Sequence, residues 1–540
     1  MPSVACLYSC KRLFVQRRAA TKVKPQDVVS FDADAARCTL VERFGEPFTE
    51  LAFADHVTRW QGNEAEHADS LQLALNYAGW AIHTEAGRAL HRSGILFKVP
   101  RKLDAMRLVP ATQTSTQGYK VFHLEHVRRR EGFALTDHGT DLVGALDQAN
   151  YCIWCHEQGK DSCSHGLREK ALADGTPGPF KKSPFGVTLA GCPLEERISE
   201  FHKLKVEGQP LGALAMIVVD NPMAAATGHR ICNDCMKACI YQKQDPVDIP
   251  QAETRTLKDV LALPWGFEIY SLLTRWNPLN LRAPHAKVST GRRALVVGMG
   301  PAGFTLAHYL LNEGHTVVAI DGLKIEPLDS ELSGVTDRGE RVPFEPIRDV
   351  ETLYEALDER VMAGFGGVAE YGITVRWNKN FLKVVRLLLE RRSLFSMHGG
   401  VRFGGTLDVA NAFGYGFDHI ALCAGAGKPT LLELPNGLAR GVRTASDFLM
   451  ALQLTGAAKK ESLANMQLRL PVVVIGGGLT AIDTATESLA YYPIQVEKFL
   501  ARYETLAEER GEPTVRASWN EEERSIADEF IAHARSIRSE

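Results

Sequence analysis

Between Arg293 and Asp321 the chain runs apolar strand, glycine turn, helix, apolar strand and acid, and few folds accept that order. The run Arg293–Val297 leads into Gly298-Met-Gly300-Pro-Ala-Gly303, and a helix is expected over Phe304–Asn312. Gly298 permits the tight turn, Gly300 lets the backbone approach a pyrophosphate, and Gly303 lets the helix pack closely on the strand. The N-terminus of that helix favours phosphate oxygens. Thr316–Ile320 reads as the next strand and ends at Asp321, where an acid is expected to meet a ribose hydroxyl. The competing reading, a glycine turn used for packing alone, does not account for the whole order of elements.

A second unit has the same layout: Val472-Val-Val-Ile-Gly476-Gly-Gly478-Leu-Thr-Ala481, with Asp483 on the helix that follows. Two such units in one chain point to one site for a flavin and one for a nicotinamide nucleotide. Flavoproteins that reduce disulfides place a redox cysteine pair soon after the first glycine turn. Here no cysteine lies between Cys239 and Cys423, and Cys423 ends an apolar strand, Ile420–Cys423, where a buried inert thiol is expected. From Tyr491 to Glu540 the sequence reads as amphipathic helix rich in Glu and Arg.

Seven of the 11 cysteines fall between Cys152 and Cys239. They read Cys152-Ile-Trp-Cys155, Cys163, Cys192-Pro193 and Cys232-Asn-Asp-Cys235-Met-Lys-Ala-Cys239. Two-residue gaps let one turn of chain present two thiolates to one iron–sulfur cube, and a Cys-Pro step is a ferredoxin feature. Soft sulfur suits such centres. Two cysteine pairs would also hold one structural zinc, and a disulfide scaffold is a third reading. Seven cysteines plus one further ligand match the eight positions that two four-iron clusters need.

Composition adds limits. With 540 residues the chain has room for about three domains of roughly 150 residues each. A net charge of -3 gives no argument for nucleic acid or an anionic membrane as the main partner. No apolar run approaches the ~20 residues of a membrane span. Lys11, Arg12, Arg17, Arg18, Lys22 and Lys24 precede the first acid, Asp27. This basic start reads as a disordered tail, a misplaced start, or a mitochondrial-type targeting segment. The compartment expected is cytoplasmic, with mitochondrial as the alternative. A helix is expected over Ser70–Arg92, and His123–Arg130 reads as a solvated helix face.

A cysteine-cluster helical region followed by two dinucleotide motifs resembles the small (beta) subunit of NAD(P)H-dependent glutamate synthase, and dihydropyrimidine dehydrogenase carries a similar module. The resemblance covers roughly residues 146–490. Its matching segments are the cysteine set, Gly298–Gly303, Gly366-Gly367-Val-Ala-Glu-Tyr371-Gly372-Ile373, Ala424-Gly425-Ala-Gly427-Lys-Pro429 and Gly476–Asp483. It implies an α-helical double [4Fe-4S] domain, then α/β Rossmann-like FAD-binding and partial NAD(P)-binding domains; they follow an N-terminal region, expected to be α+β, that has no counterpart in the simple glutamate synthase subunit. The expected boundaries are 1–24 for a basic tail or targeting segment, 25–145 for an N-terminal domain of unknown role, 146–285 for the iron–sulfur domain, 292–470 for the FAD-binding domain and 471–540 for the partial NAD(P)-binding domain. One cluster would be held by Cys152, Cys155, Cys163 and Cys239, and the other by Cys192, Cys232, Cys235 and Glu253. The first glycine turn would bind FAD, with Gly366, Gly367, Tyr371, Gly372, Gly425 and Gly427 contributing to the cofactor site. Gly476, Gly478, Ala481 and Asp483 would serve NAD(P)H.

Three features depart from that family. The stretch from Asp321 to Gly366 is longer, Leu479 stands where Asp or Asn is common, and no second apolar strand follows the second glycine turn before Glu540. The chain therefore reads as a fragment of a longer protein or half of a split one. The expected function is an electron-transferring flavin oxidoreductase that serves a protein partner or another acceptor. The alternative is a non-catalytic assembly subunit in which the cofactors only hold the fold.

Overall fold

A computed structural model describes residues 4–91, 94–100, 102–125, 127, 131–229, 231–357, 363–373, 376–426 and 429–540. The chain forms two compact units. The first comprises Met1–Glu125, Thr140–Asp220 and Asn233–Thr256; the second comprises His126–Gly139, Asn221–Cys232 and Leu257–Glu540.

The first unit is mostly helical. Asp32 and Thr49 cap the helices Ala33–Phe44 and Glu50–Gly62 by accepting from Ala35 N at 2.9 Å and Ala52 N at 3.0 Å. Such caps satisfy backbone donors that a helix start leaves open. These helices and Ala68–His83 bury Leu40, Phe53, Val57, Tyr77 and Ala78 in one core. The basic start, expected as a tail or targeting segment, is helical here from Val4 through Lys22. Cys10, Phe14, Val15 and Ala19 recur at helical spacing and pack into that same core, so the segment has an apolar stripe as well as a charged face.

The helix expected over Ser70–Arg92 is broken at Thr84, which leaves helical geometry and caps a second helix, Glu85–Leu90. Arg92 lies outside the described residues. His123 is not on a helix. It sits in β2 (Tyr119–Leu124), which pairs antiparallel with β1 (Ala111–Thr116). Gln117 and Gly118 both take positive φ in the two-residue turn that joins them, which suits a tight hairpin. Residues 126 and 128–130 lie outside the described residues.

The second unit is built on a parallel sheet. β3 (Arg293–Val297), β4 (Thr316–Ile320), β5 (Phe395–His398) and β6 (His419–Leu422) stand in the order β5-β4-β3-β6. Ala294 pairs with Val317 on one side and His419 on the other. Leu295, Val297, Ile320, Leu407, Ala412 and Phe417 form a core cluster on this sheet. Ligands of such sheets bind beyond the carboxyl ends of the strands, where the order reverses.

The second glycine unit differs from its expected form. Residues 471–478 are not in a strand, and Val473 and Ile475 are 80% and 65% exposed. Strand geometry needs a neighbouring ladder to satisfy its backbone groups, and among the described residues none pairs with this run. The helix that follows runs continuously over Leu479–Arg510. It packs against Glu521–Ser539 through Val496, Leu500, Phe530 and Ile531. Among the described residues, no helix is long and apolar enough to cross a membrane.

Candidate cofactor-binding sites

The first site is assembled where β3 ends. Gly298 has φ +95°, and a Cβ there would lie 2.5 Å from the Cys423 carbonyl oxygen at the end of β6. A Cβ on Gly303 would lie 1.8 Å from the Gly298 oxygen, so the helix Pro301–Asn312 can leave the turn only without a side chain at that point. Gly300 is different. A Cβ there would have nothing closer than Gly367 Cα, at 3.7 Å. Its backbone thus lies against the Gly366–Gly367 turn at van der Waals distance, and Gly366 N closes that turn by donating to the Met299 oxygen at 3.1 Å.

Asp321 holds this turn together. Its Oδ2 accepts from Met299 N at 2.9 Å and its Oδ1 from Leu323 N at 3.0 Å. A carboxylate has about four acceptor positions, so capacity remains for a hydroxyl. Gly425, at φ +74°, is exposed with open space around it, and Gly427 lies outside the described residues. Cys423 is half-buried rather than fully enclosed, and burial raises its thiol.

Two buried charged residues that sequence reasoning missed support the segment from Gly364 to Gly372. Lys379 Nζ donates to the carbonyl oxygens of Ala369 at 3.2 Å, Gly372 at 2.6 Å and Glu370. The Glu370 carboxyl is fully buried, and its Oε1 accepts from Gly364 N at 2.8 Å. Burial pushes it up to about 7; the Gly364 N–H and Lys379 oppose the rise, and the charge of Asp321 adds to it. Tyr371 is half-buried against the cluster that holds Phe448 and Tyr491.

In the second glycine unit, Gly476 has φ +133° and Gly478 stands at the N-terminus of the helix Leu479–Arg510 with open space around it. Ala481 lies in the first turn, its Cβ 3.4 Å from where a Cβ on Gly476 would be. Asp483 is buried and turned toward the flavin-motif segment: its Oδ2 accepts from Ile373 N at 2.8 Å.

The cysteines form a separate site in the first unit. Cys152 ends the helix Leu142–Tyr151, and Cys155 opens the next helical turn. Trp154 between them has φ +51°, which reverses the chain. Cys163 comes from the short helix Ser162–His165, and Cys239 follows Asp234–Ala238. These four thiols line one cavity together with Ile153, Ile198, Ile240, Val247 and Tyr241. Burial pushes the Cys152 thiol up to about 12 and the Cys155 thiol up to about 11, and raises Cys163 and Cys239 as well. The rings of Tyr151 and Tyr241 stack at 4.6 Å beside the cavity.

The donor set fits a buried iron–sulfur centre in kind: four thiols in a cage that is apolar apart from Ser162 and Tyr241, with Asp161 Oδ1 accepting from the Cys163 thiol at 3.0 Å. Among the described residues, no three His, Cys, Asp or Glu side chains are grouped as ligands of a single metal ion. The second expected set comprises Cys192, Cys232, Cys235 and Glu253. Cys192 N donates to the Cys163 oxygen at 2.8 Å, and burial pushes the Cys192 thiol up to about 11, with the charges of Glu196 and Glu253 adding to the rise. Glu253 and Cys235 are buried, whereas Cys232 is exposed and belongs to the second unit.

Residues 292–510 match the family described as pyridine nucleotide-disulphide oxidoreductase. An uncharacterized protein of Rickettsia prowazekii is 52% identical over 316 residues, which are 58% of this chain and 42% of that protein. The small chain of the NADPH glutamate synthase of Bacillus subtilis is 27% identical over 320 residues, 57% of this chain and 52% of that one. That of Mycobacterium tuberculosis is 25% identical over 306 residues, 54% and 50%. The chain spans about half the length of these curated relatives. Its resemblance to glutamate synthase small chains therefore extends along the sequence and is not confined to motifs. Within the matched residues 292–510 the one cysteine is Cys423, so they hold no cysteine pair.

Proposed function

We propose that this chain, with its pyridine nucleotide oxidoreductase domain at 292–510, is an NAD(P)H-dependent flavin and iron–sulfur oxidoreductase. The supporting observation is the cradle where Gly298 and Gly303 allow β3, β6 and the helix Pro301–Asn312 to close on the Gly366–Gly367 turn. FAD would lie with its pyrophosphate along Gly298–Gly300 and its ribose toward Asp321. When bound, flavin supplies hydride acceptance from NAD(P)H and release of the two electrons one at a time. Asp321 fixes the Met299 turn, Lys379 fixes the segment Ala369–Gly372, and the Gly366 N–H donating to the Met299 oxygen joins the two.

Cys152, Cys155, Cys163 and Cys239 would hold one [4Fe-4S] cluster, supported by their shared cavity. Cys192, Cys232, Cys235 and Glu253 would hold a second. Electrons would leave by this route to a partner subunit or another acceptor. Protein purified without oxygen should be brown, with about eight irons and eight acid-labile sulfides per chain and FAD near one per chain. Zinc without sulfide would reject the cluster assignment, and protein that cannot take up FAD would reject the flavin site.

A second reading, a non-catalytic assembly subunit, is favoured by one observation: residues 471–478 form no strand, so the nucleotide unit lacks its crevice. Reduction of the flavin by NAD(P)H separates the two readings.

A further inference from the structure

A run of basic residues at a chain start is ordinarily a solvated face. Here it is anchored beside the stretch that delivers Cys152 and Cys155 to the cavity. Lys11 is buried and forms an ion pair with Asp147, on the helix Leu142–Tyr151 that delivers Cys152. The half-buried Arg12 places its guanidinium 5.5 Å from the ring centroid of Trp154, the residue that turns the chain between Cys152 and Cys155. Cys10, Phe14, Val15 and Ala19 fix the segment from its other face by burial. Lys11 is paired with Asp147, which leaves Arg12 as the cation held against Trp154; Arg17 bears on Tyr241 of the cavity lining, and the carboxylate of Asp161 accepts from the Cys163 thiol at 3.0 Å.

Four thiolates around an iron–sulfur cube give it net negative charge, and accepting an electron adds to it. A fixed cation nearby favours the reduced form, more so in a partly desolvated setting than in water. We propose that the helical segment Lys11–Ala19 is a cationic cover on the cysteine cavity, and that Arg12, held against Trp154, is a positioning residue that raises the reduction potential of the cluster bound there. This rests on reading the cavity as a cluster site.

The test is an anaerobic redox titration of the full chain with dithionite as one-electron donor, followed by electron paramagnetic resonance. It compares wild type, Arg12→Gln and Arg12→Lys, with iron and sulfide measured on each. Arg12→Gln should keep its iron and sulfide and lower the reduced-to-oxidised ratio at fixed potential by up to tenfold, about 59 mV for a one-electron couple. Arg12→Lys, which keeps the charge, should stay near wild type. An unchanged midpoint in Arg12→Gln overturns the inference while leaving the cluster assignment standing. A shift of equal size in Arg12→Lys also overturns it, because charge would then not be the cause. Wild-type protein without iron and sulfide overturns both.

Discussion

The backbone N–H of Ile373 donates to Oδ2 of Asp483 at 2.8 Å, joining the segment after Gly366–Gly367 to the helix that follows the second glycine turn. Ile373 has φ +57°, a conformation that a β-branched residue rarely adopts. Holding a residue there costs on the order of 1–3 kcal/mol, and the carboxylate of Asp483 is a fixed partner that offsets it.

Asp483→Ala should therefore loosen the Ile373 turn, because a poorly exposed donor loses its acceptor. The expected loss is about 1–3 kcal/mol locally. Asp483→Asn, which can still accept, should lose less. Hydrogen exchange at the Ile373 amide reads this directly. Equal protection in wild type and Asp483→Ala would show that the contact does not hold the turn.

Gly300 and Gly303 should fail in different ways. A side chain at Gly303 collides with the Gly298 oxygen, so Gly303→Ala should destabilise the sheet unit itself. A methyl at Gly300 would touch Gly367 Cα only at van der Waals distance, 3.7 Å, so Gly300→Ala should fold as wild type yet bind FAD at least about tenfold more weakly, roughly 1.4 kcal/mol. Gly300→Val should abolish FAD binding. Thermal melting alongside flavin content distinguishes the two positions, and full flavin occupancy in folded Gly300→Val would remove the pyrophosphate from this turn.

Glu370 predicts a pH dependence of stability. Burial raises its carboxyl from an ordinary value near 4.5 to about 7, so the folded protein binds a proton that the unfolded chain has released over that window. Its contribution is fully present below about 4.5 and is lost as pH rises through about 7. The change is on the order of 3 kcal/mol at most. Glu370→Gln should flatten this part of the stability profile. A profile unchanged between pH 4.5 and 7 in that variant would place the titration elsewhere.

Val473 and Ile475 are exposed, so Val473→Lys and Ile475→Lys should each change stability by less than about 0.5 kcal/mol. In contrast, Val297→Lys should be ruinous, since Val297 is buried in β3. Denaturation of the three variants checks this. A large loss at Val473 would mean that the run is packed in solution.

What could be read in the sequence follows how local each cause is. Arg293–Val297 and Thr316–Ile320 were legible because apolar runs bounded by a glycine turn need only each other to pair. Pro471–Ile475 carries the same local signal but forms no strand, because a strand also needs a neighbour that no local pattern supplies. Lys379 and Glu370 were not legible, since their burial depends on a fold that brings backbone carbonyls and N–H groups to them. Lys11 is similar: its partner Asp147 is distant in sequence, so the basic run reads as a tail, a misplaced start or a targeting segment. The association of Cys152, Cys155 and Cys163 with Cys239 came from family resemblance rather than spacing, and the shared cavity now accompanies it.

The most direct test of the central claim is anaerobic addition of NADPH or NADH to the FAD-loaded chain, with the flavin absorbance followed in time. The account predicts that the oxidised flavin bands bleach on addition of one of the two nucleotides, with Gly300→Val giving no flavin signal to bleach. An oxidised flavin spectrum that persists with both nucleotides in excess would contradict an NAD(P)H-dependent oxidoreductase and leave the assembly-subunit reading.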